Sequence, residues 1–155
     1  MTTNRNEQSG KPTRPSEAKG AVSRPPEKLA DGCVLVVDDN PVIRQIVRRA
    51  LEQAKFTVAE AENGARALTL LAHGRPGLIV LDLMMLGMDG FTFLTQLRQR
   101  PEWQAIPVVV LSAKPLTAES QAFVASHAQH FQSKGKSVAE DVVKLARQFL
   151  QRPGD

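Results

Sequence analysis

The sequence predicts an α/β protein, a single (βα)5 unit whose five parallel strands form a doubly wound sheet. Three observations carry that reading. Short, continuously apolar runs rich in β-branched residues recur at Cys33–Val37, Leu78–Leu81 and Val108–Leu111, as strands covered on both faces do. Segments with apolar residues at helical spacing alternate with them. The chain has 155 residues, room for one domain and little besides tails.

Asn40 is placed to cap the first helix, with Pro41 at its first position. Ile43, Ile46, Val47, Ala50 and Leu51 then recur on one face. Phe56–Ala61 is the second strand candidate. Leu68, Leu71 and Ala72 mark the second helix, and Phe91, Leu94 and Leu97 the third. Gln121–Ser126 suggests a short fourth helix, a weak run around His130–Ser133 a fifth strand, and Val142, Leu145, Ala146 and Phe149 the last helix. Right-handed crossovers then put helices on both faces of the sheet. Neither a dinucleotide nor a P-loop glycine signature is present.

Composition narrows the function classes. Hydrophobic residues make up 42%, charged residues 23% and aromatics 5%, a globular balance with an aliphatic core. Cys33 is the single cysteine, so no internal disulfide forms and a reducing, cytoplasmic setting is expected. No apolar run reaches the roughly 18 residues of a membrane span, and no secretion signal opens the chain. The net charge is +4, but residues 1–30 hold six Lys/Arg against three Asp/Glu. The basicity therefore sits mostly in that segment, which is rich in proline and lacks aromatics. It reads as a disordered tail. Direct nucleic-acid binding is not expected, because no basic face with interleaved aromatics appears. The expected layout is a tail over 1–30, a folded domain over 31–152 and a terminal stub over 153–155.

In open α/β sheets, sites form beyond the carboxyl ends of the strands. After Val34–Val37 come Asp38 and Asp39, after Leu81 comes Asp82, after Leu111 comes Ser112, and after the weak fifth run comes Lys134. Each alone reads as a turn, a cap or a solvated charge. Together they put three carboxylates, a hydroxyl and an ammonium at one edge. Clustered carboxylates repel and raise their pKa values unless a cation joins them. Hard oxygen donors that also face a phosphate suit Mg²⁺, and Ser112 and Lys134 complete a set able to hold phosphoryl oxygens. His73, His127 and His130 lack metal-ligand spacing. Trp103 is expected in a loop covering a sheet edge, and Cys33 as a small apolar residue opening the first strand.

Four stretches then carry a resemblance: Val34-Leu35-Val36-Val37-Asp38-Asp39-Asn40, Leu81-Asp82-Leu83-Met84-Met85-Leu86-Gly87-Met88-Asp89-Gly90, Val110-Leu111-Ser112-Ala113 and Phe131-Gln132-Ser133-Lys134-Gly135. In this order they resemble the receiver domain of two-component response regulators, of the chemotaxis-regulator type, over about Asp31 to Arg152. The resemblance implies a flavodoxin-like fold. It implies Asp82 as phosphoacceptor from a sensor histidine kinase or histidine phosphotransfer protein. Asp39 and Asp82 match direct Mg²⁺ ligands, Asp38 one acting through water, and Met84 the position whose backbone carbonyl ligates the metal. Ser112 and Lys134 match the holders of phosphoryl oxygens, and Phe131 the switch aromatic that moves inward with Ser112. Such a protein catalyses only its own phosphorylation and dephosphorylation and signals by binding a downstream target protein.

Some positions depart from the family pattern. Leu86 and Gly135 stand where proline is common, His127 where a small residue is typical, and His130 and Gln132 make the fifth strand polar. A degenerate receiver acting as a constitutive docking module is one alternative, and the intact Asp38, Asp39, Asp82, Ser112 and Lys134 set speaks against it. An aspartyl-phosphate phosphohydrolase of similar fold is another. It needs an acid two residues after the nucleophile, where this chain has Met84. Only Gln151–Asp155 follow the last helical pattern, so output is expected through protein contact at the fourth helix, fifth strand and fifth helix.

Overall fold

The computed structural model describes residues 29–85 and 87–150. In chain order the elements are β1 (Val34–Val37), α1 (Pro41–Gln53), β2 (Val58–Ala61), α2 (Gly64–Leu71), β3 (Leu78–Asp82) and α3 (Gly90–Gln99). A 3-10 turn (Pro101–Trp103) then leads to β4 (Val108–Ser112), α4 (Ala118–His127), β5 (His130–Ser133) and α5 (Val138–Leu150). The five strands are all parallel, in the order β2-β1-β3-β4-β5. This is the expected doubly wound α/β sheet of flavodoxin-like type.

The three central strands are buried along their whole length, and pleating sends alternate residues to opposite faces. Leu35, Val37, Ile79, Leu81, Val108 and Val110 face α2 and α3. Val34, Val36, Leu78, Val80, Val109 and Leu111 face α1 and α5. Each such side chain, fully buried, contributes about 1.5–3 kcal/mol. The strand order reverses between β1 and β3, and it is there that an open parallel sheet leaves a crevice at its carboxyl edge.

Caps set the helix starts. Asn40 Oδ1 accepts from Val42 N at 2.9 Å, Asn63 Oδ1 from Arg66 N at 2.7 Å, and Asp89 Oδ1 from Thr92 N at 2.9 Å. Thr117 caps α4 through Ser120 N at 3.1 Å, so that helix begins three residues before the expected one. Helix α1 ends with Lys55 at φ 77°, a left-handed conformation that usually falls to glycine.

Several expectations are corrected. Ile46 does not join the buried face of α1; it is 43% exposed, and Val47 and Leu51 carry the packing. Helix α2 stops at Leu71, which leaves Ala72 past its end and exposed. Trp103 is not a loop cover. It is 7% exposed in the α2–α3 core, with the Arg100 guanidinium 4.7 Å above its ring. The expected tail over 1–30 lies outside the described residues up to residue 28, but Leu29 is 4% exposed and belongs to the core. The packed unit therefore begins before Asp31. Leu86 and residues 151–155 also lie outside the described residues.

The polar fifth strand forms as expected and its polarity has a physical reason. β5 is the sheet's outer strand, with His130 and Ser133 exposed and Phe131 and Gln132 half-buried. A strand with one open side tolerates polar residues that a central strand does not. His127 fits at the end of α4 by stacking on Phe123, with ring centroids 4.0 Å apart.

Candidate functional site

The sheet brings Asp38, Asp39, Asp82 and Lys134 together. Asp38 and Asp39 follow β1, and Asp82 ends the neighbouring β3. One carboxylate oxygen from each of the three lies within 4.8 Å of the others. Lys134 follows β5, and its backbone N–H donates to Ser112 O at 2.8 Å, extending the β4–β5 ladder by one bond. Its ammonium then reaches 2.8 Å from Asp38 Oδ2 and 3.4 Å from Asp82 Oδ1.

Asp38 and Asp82 are 2% and 4% exposed. Burial first, and then the neighbouring Asp38 charge, push the Asp82 carboxyl from 3.8 up to about 6, while Lys134 and the Met84 N–H pull it back down. One cation is thus shared between two buried anions, and Asp39 adds a third acid to the cluster. Asp38 Oδ1 accepts from Asn40 N at 2.9 Å. Among the described residues, Asp38 Oδ2 has no donor in hydrogen-bonding geometry, so its contact with Lys134 is purely ionic. A small hard cation fits this donor set: clustered carboxylate oxygens, one of them buried and lacking a hydrogen bond.

The other expected residues fall around this centre. Met84 N donates to Asp82 Oδ1 at 3.3 Å, and the Met84 side chain is exposed. Ser112 is 2% exposed at the end of β4, one strand from Asp82. Its hydroxyl is turned to the following loop: it donates to Lys114 O at 2.8 Å and accepts from Lys114 N at 3.2 Å. Phe131 sits on β5 opposite Val110 and is half-buried against the α2–α3 core. It lines a cavity of about 470 Å³ with Leu116, Val124 and Ala128 between α4 and β5.

Two contributors were not read from the sequence. The Arg44 guanidinium donates to the Asp38 carbonyl at 2.7 Å and to Glu60 Oε1 at 2.8 Å. Its position one turn past the Asn40 cap is the signal the sequence carries for it, one that apolar periodicity does not show. Gly90 N donates to Leu83 O, and a Cβ on Gly90 would lie 2.7 Å from Leu83 Cα and 2.8 Å from Asp82 O. Only glycine lets α3 start this close to the backbone that carries Asp82.

No helix among the described residues is long and apolar enough to cross a membrane. Comparison with known proteins agrees with the geometry. The family model for the response regulator receiver domain matches residues 34–146. The two-component response regulator ARR17 of Arabidopsis thaliana is 36% identical over 129 residues, 76% of this chain and 84% of that protein. The KDP operon transcriptional regulatory protein KdpE of Escherichia coli is 39% identical over 112 residues, 72% of this chain. The chain spans about half of KdpE's length (48%). Among solved structures, the Vibrio cholerae chemotaxis protein CheY4 superposes with a TM-score of 0.70 at 28% identity, over 78% of this chain and all of that one. With the matched model spanning the sheet, the acidic cluster and most of α5, the chain belongs to the response regulator receiver domain family.

Proposed function

We propose that this protein is a phospho-accepting switch in which Asp82 takes a phosphoryl group from a phosphohistidine on a sensor kinase or histidine phosphotransfer protein. One observation carries the reading: three carboxylates and the Lys134 ammonium meet at the crevice between β1 and β3. Met84 N–H and Lys134 hold Asp82 Oδ1, and in this reading the carboxylate attacks phosphorus as the P–N bond to the imidazole breaks. Lys134, already within the carboxylate cluster, is placed to follow the transferred oxygens as a charge-assisted donor. Mg²⁺, held by Asp39, Asp82 and the Met84 carbonyl with Asp38 through water, would supply the positive charge that lets anions approach one another.

Ser112 is the switch residue in this reading. Its hydroxyl, now bonded to Lys114, turns to a phosphoryl oxygen, and the freed β4–α4 loop lets Phe131 repack toward the α4–β5 cavity. Helix α4 is suited to that movement, since Val124 is its one fully buried residue. Output is a change in binding to a downstream target protein. The protein turns over no external substrate in this reading, and its setting is cytoplasmic.

Incubation with acetyl phosphate and Mg²⁺ should add one phosphoryl group, read by intact mass. Asp82→Asn should remain unlabelled; labelling equal to wild type overturns the assignment. Phe131→Ala should label at a near-normal rate while losing the phosphorylation-dependent change in partner affinity, and Lys134→Ala should lose it even where labelling persists.

A further inference from the structure

We infer that Arg44 is a positioning residue of the acidic site, fixing the peptide that joins Asp38 to Asp39 and being fixed in turn by Glu60. This rests on the reading of Asp38, Asp39 and Asp82 as a Mg²⁺ site.

Asp38 lies one residue past Val37, the last paired residue of β1. The sheet still holds its N–H, which donates to Ala61 O at 3.1 Å. Its side chain is held by Asn40 N. The carbonyl is the remaining polar group, and the Arg44 Nη1 takes it at 2.7 Å. Rotation of that peptide would swing the Asp39 carboxylate away from Asp82, because the Asp38 carbonyl belongs to the bond that leads into Asp39. Arg44 itself cannot drift, since its Nε is bonded to Glu60 Oε1 at 2.8 Å and both side chains are largely covered, at 19% and 26% exposed. The second Glu60 oxygen is taken by Arg48, which also pairs with Glu52 at 3.0 Å. Burial alone would raise the Glu60 carboxyl, but the two arginines outweigh it and hold it below its usual range. Glu60 is thus a fixed anion on β2, and Arg44 spans from it to the ligand-bearing turn.

A guanidinium is needed because it carries separated donors in a rigid plane, whereas an ammonium offers one nitrogen. Groups that orient metal ligands from behind typically matter 10–100-fold in affinity. Arg44→Ala should therefore weaken Mg²⁺ binding about tenfold. Arg44→Lys should restore only part of the loss. Glu60→Ala, which touches no ligand, should reproduce it through the released guanidinium. Arg49→Ala, exposed on the same helix, should bind as wild type.

The decisive experiment pairs Mg²⁺ calorimetry on the folded proteins with amide hydrogen exchange in Mg²⁺-free buffer. Arg44→Ala should speed exchange at the Asn40 amide while Val80 and Val109, in the centre of the sheet, keep wild-type rates. A merely structural role would instead lower protection throughout and leave the affinity of the folded protein unchanged. Arg44→Ala affinity within twofold of wild type overturns the inference. If wild type itself takes no Mg²⁺, the metal reading fails, and unchanged Asn40 exchange then overturns the positioning role on its own.

Discussion

Replacing the proposed phosphoacceptor should make the metal-free protein more stable, and the gain should depend on pH. The Asp82 carboxyl is raised from 3.8 to about 6, first by burial and then by the Asp38 charge. Each unit is worth 1.36 kcal/mol, so ionised Asp82 costs the folded state about 3 kcal/mol at most. The sign follows from the direction of the shift. Below 3.8 the group is protonated in both states and costs nothing. As pH rises, the unfolded chain ionises first, so stability falls through the window from 3.8 to about 6 and stays lowered above it. Asp82→Asn keeps the shape and removes the charge. In urea with a chelator at about pH 8 it should unfold later than wild type, by at most about 1 M for a slope of about 3 kcal/mol per M and proportionally more for a shallower slope. At about pH 3.5 the two midpoints should converge. Adding Mg²⁺ should close the gap at high pH by stabilising wild type alone. A difference that does not vary with pH, or a wild type more stable than Asp82→Asn at high pH without metal, would refute this electrostatic account.

Gly90→Ala places a methyl against Leu83 Cα and Asp82 O; it should cost about 1–3 kcal/mol and slow labelling of Asp82, both read on the same sample. Lys55→Gly relieves a left-handed residue at the end of α1 and should raise stability by about 1 kcal/mol, with labelling unchanged. Deleting residues 1–28 should leave the urea midpoint and acetyl phosphate labelling as in wild type. Extending the deletion to residue 30 removes buried Leu29 and should cost about 2 kcal/mol or more, a step that would be absent if the packed domain began at Asp31.

How far the sequence could be read follows from burial. β1, β3 and β4 are covered on both faces, so they appear as unbroken apolar runs, and topology alone carries Asp38, Asp39, Asp82 and Ser112 to one edge. β5 is half-exposed and nearly invisible as a pattern. Helix α4 buries Val124 alone, too little periodicity to mark where the helix begins, and its Thr117 cap was the stronger signal. Ile46 and Trp103 were misplaced for opposite reasons. Ile46 has the right spacing but faces outward. Trp103 follows a sequence that reads as a loop, yet it is buried in the core that α2 and α3 share. Bonds from a side chain to the backbone of a nearby turn, such as Arg44 to Asp38 O and Ser112 to Lys114 O, leave no trace in apolar periodicity.

The same burial pattern explains why this fold can hold an unfavourable site and still respond to it. The buried acids stand at the ends of strands whose other residues are almost wholly apolar and enclosed, so the electrostatic cost at Asp82 falls on the part of the molecule least able to yield. Relief cannot come from the centre of the sheet moving; it comes from a proton, as at low pH, or from a cation. The yielding side is the other one. Among the described residues β5 is paired only to β4, α4 is anchored through Val124, and the cavity between them is walled by Phe131 and Leu116. Ser112 belongs to both parts: its backbone is locked in β4 while its hydroxyl is committed to the loop leading to α4. In the proposed switch, a change of partner for that one hydroxyl would transmit stress from a rigid centre to an edge with little packing to lose. An edge of this kind can convert a local change in charge into a rearrangement of the surface.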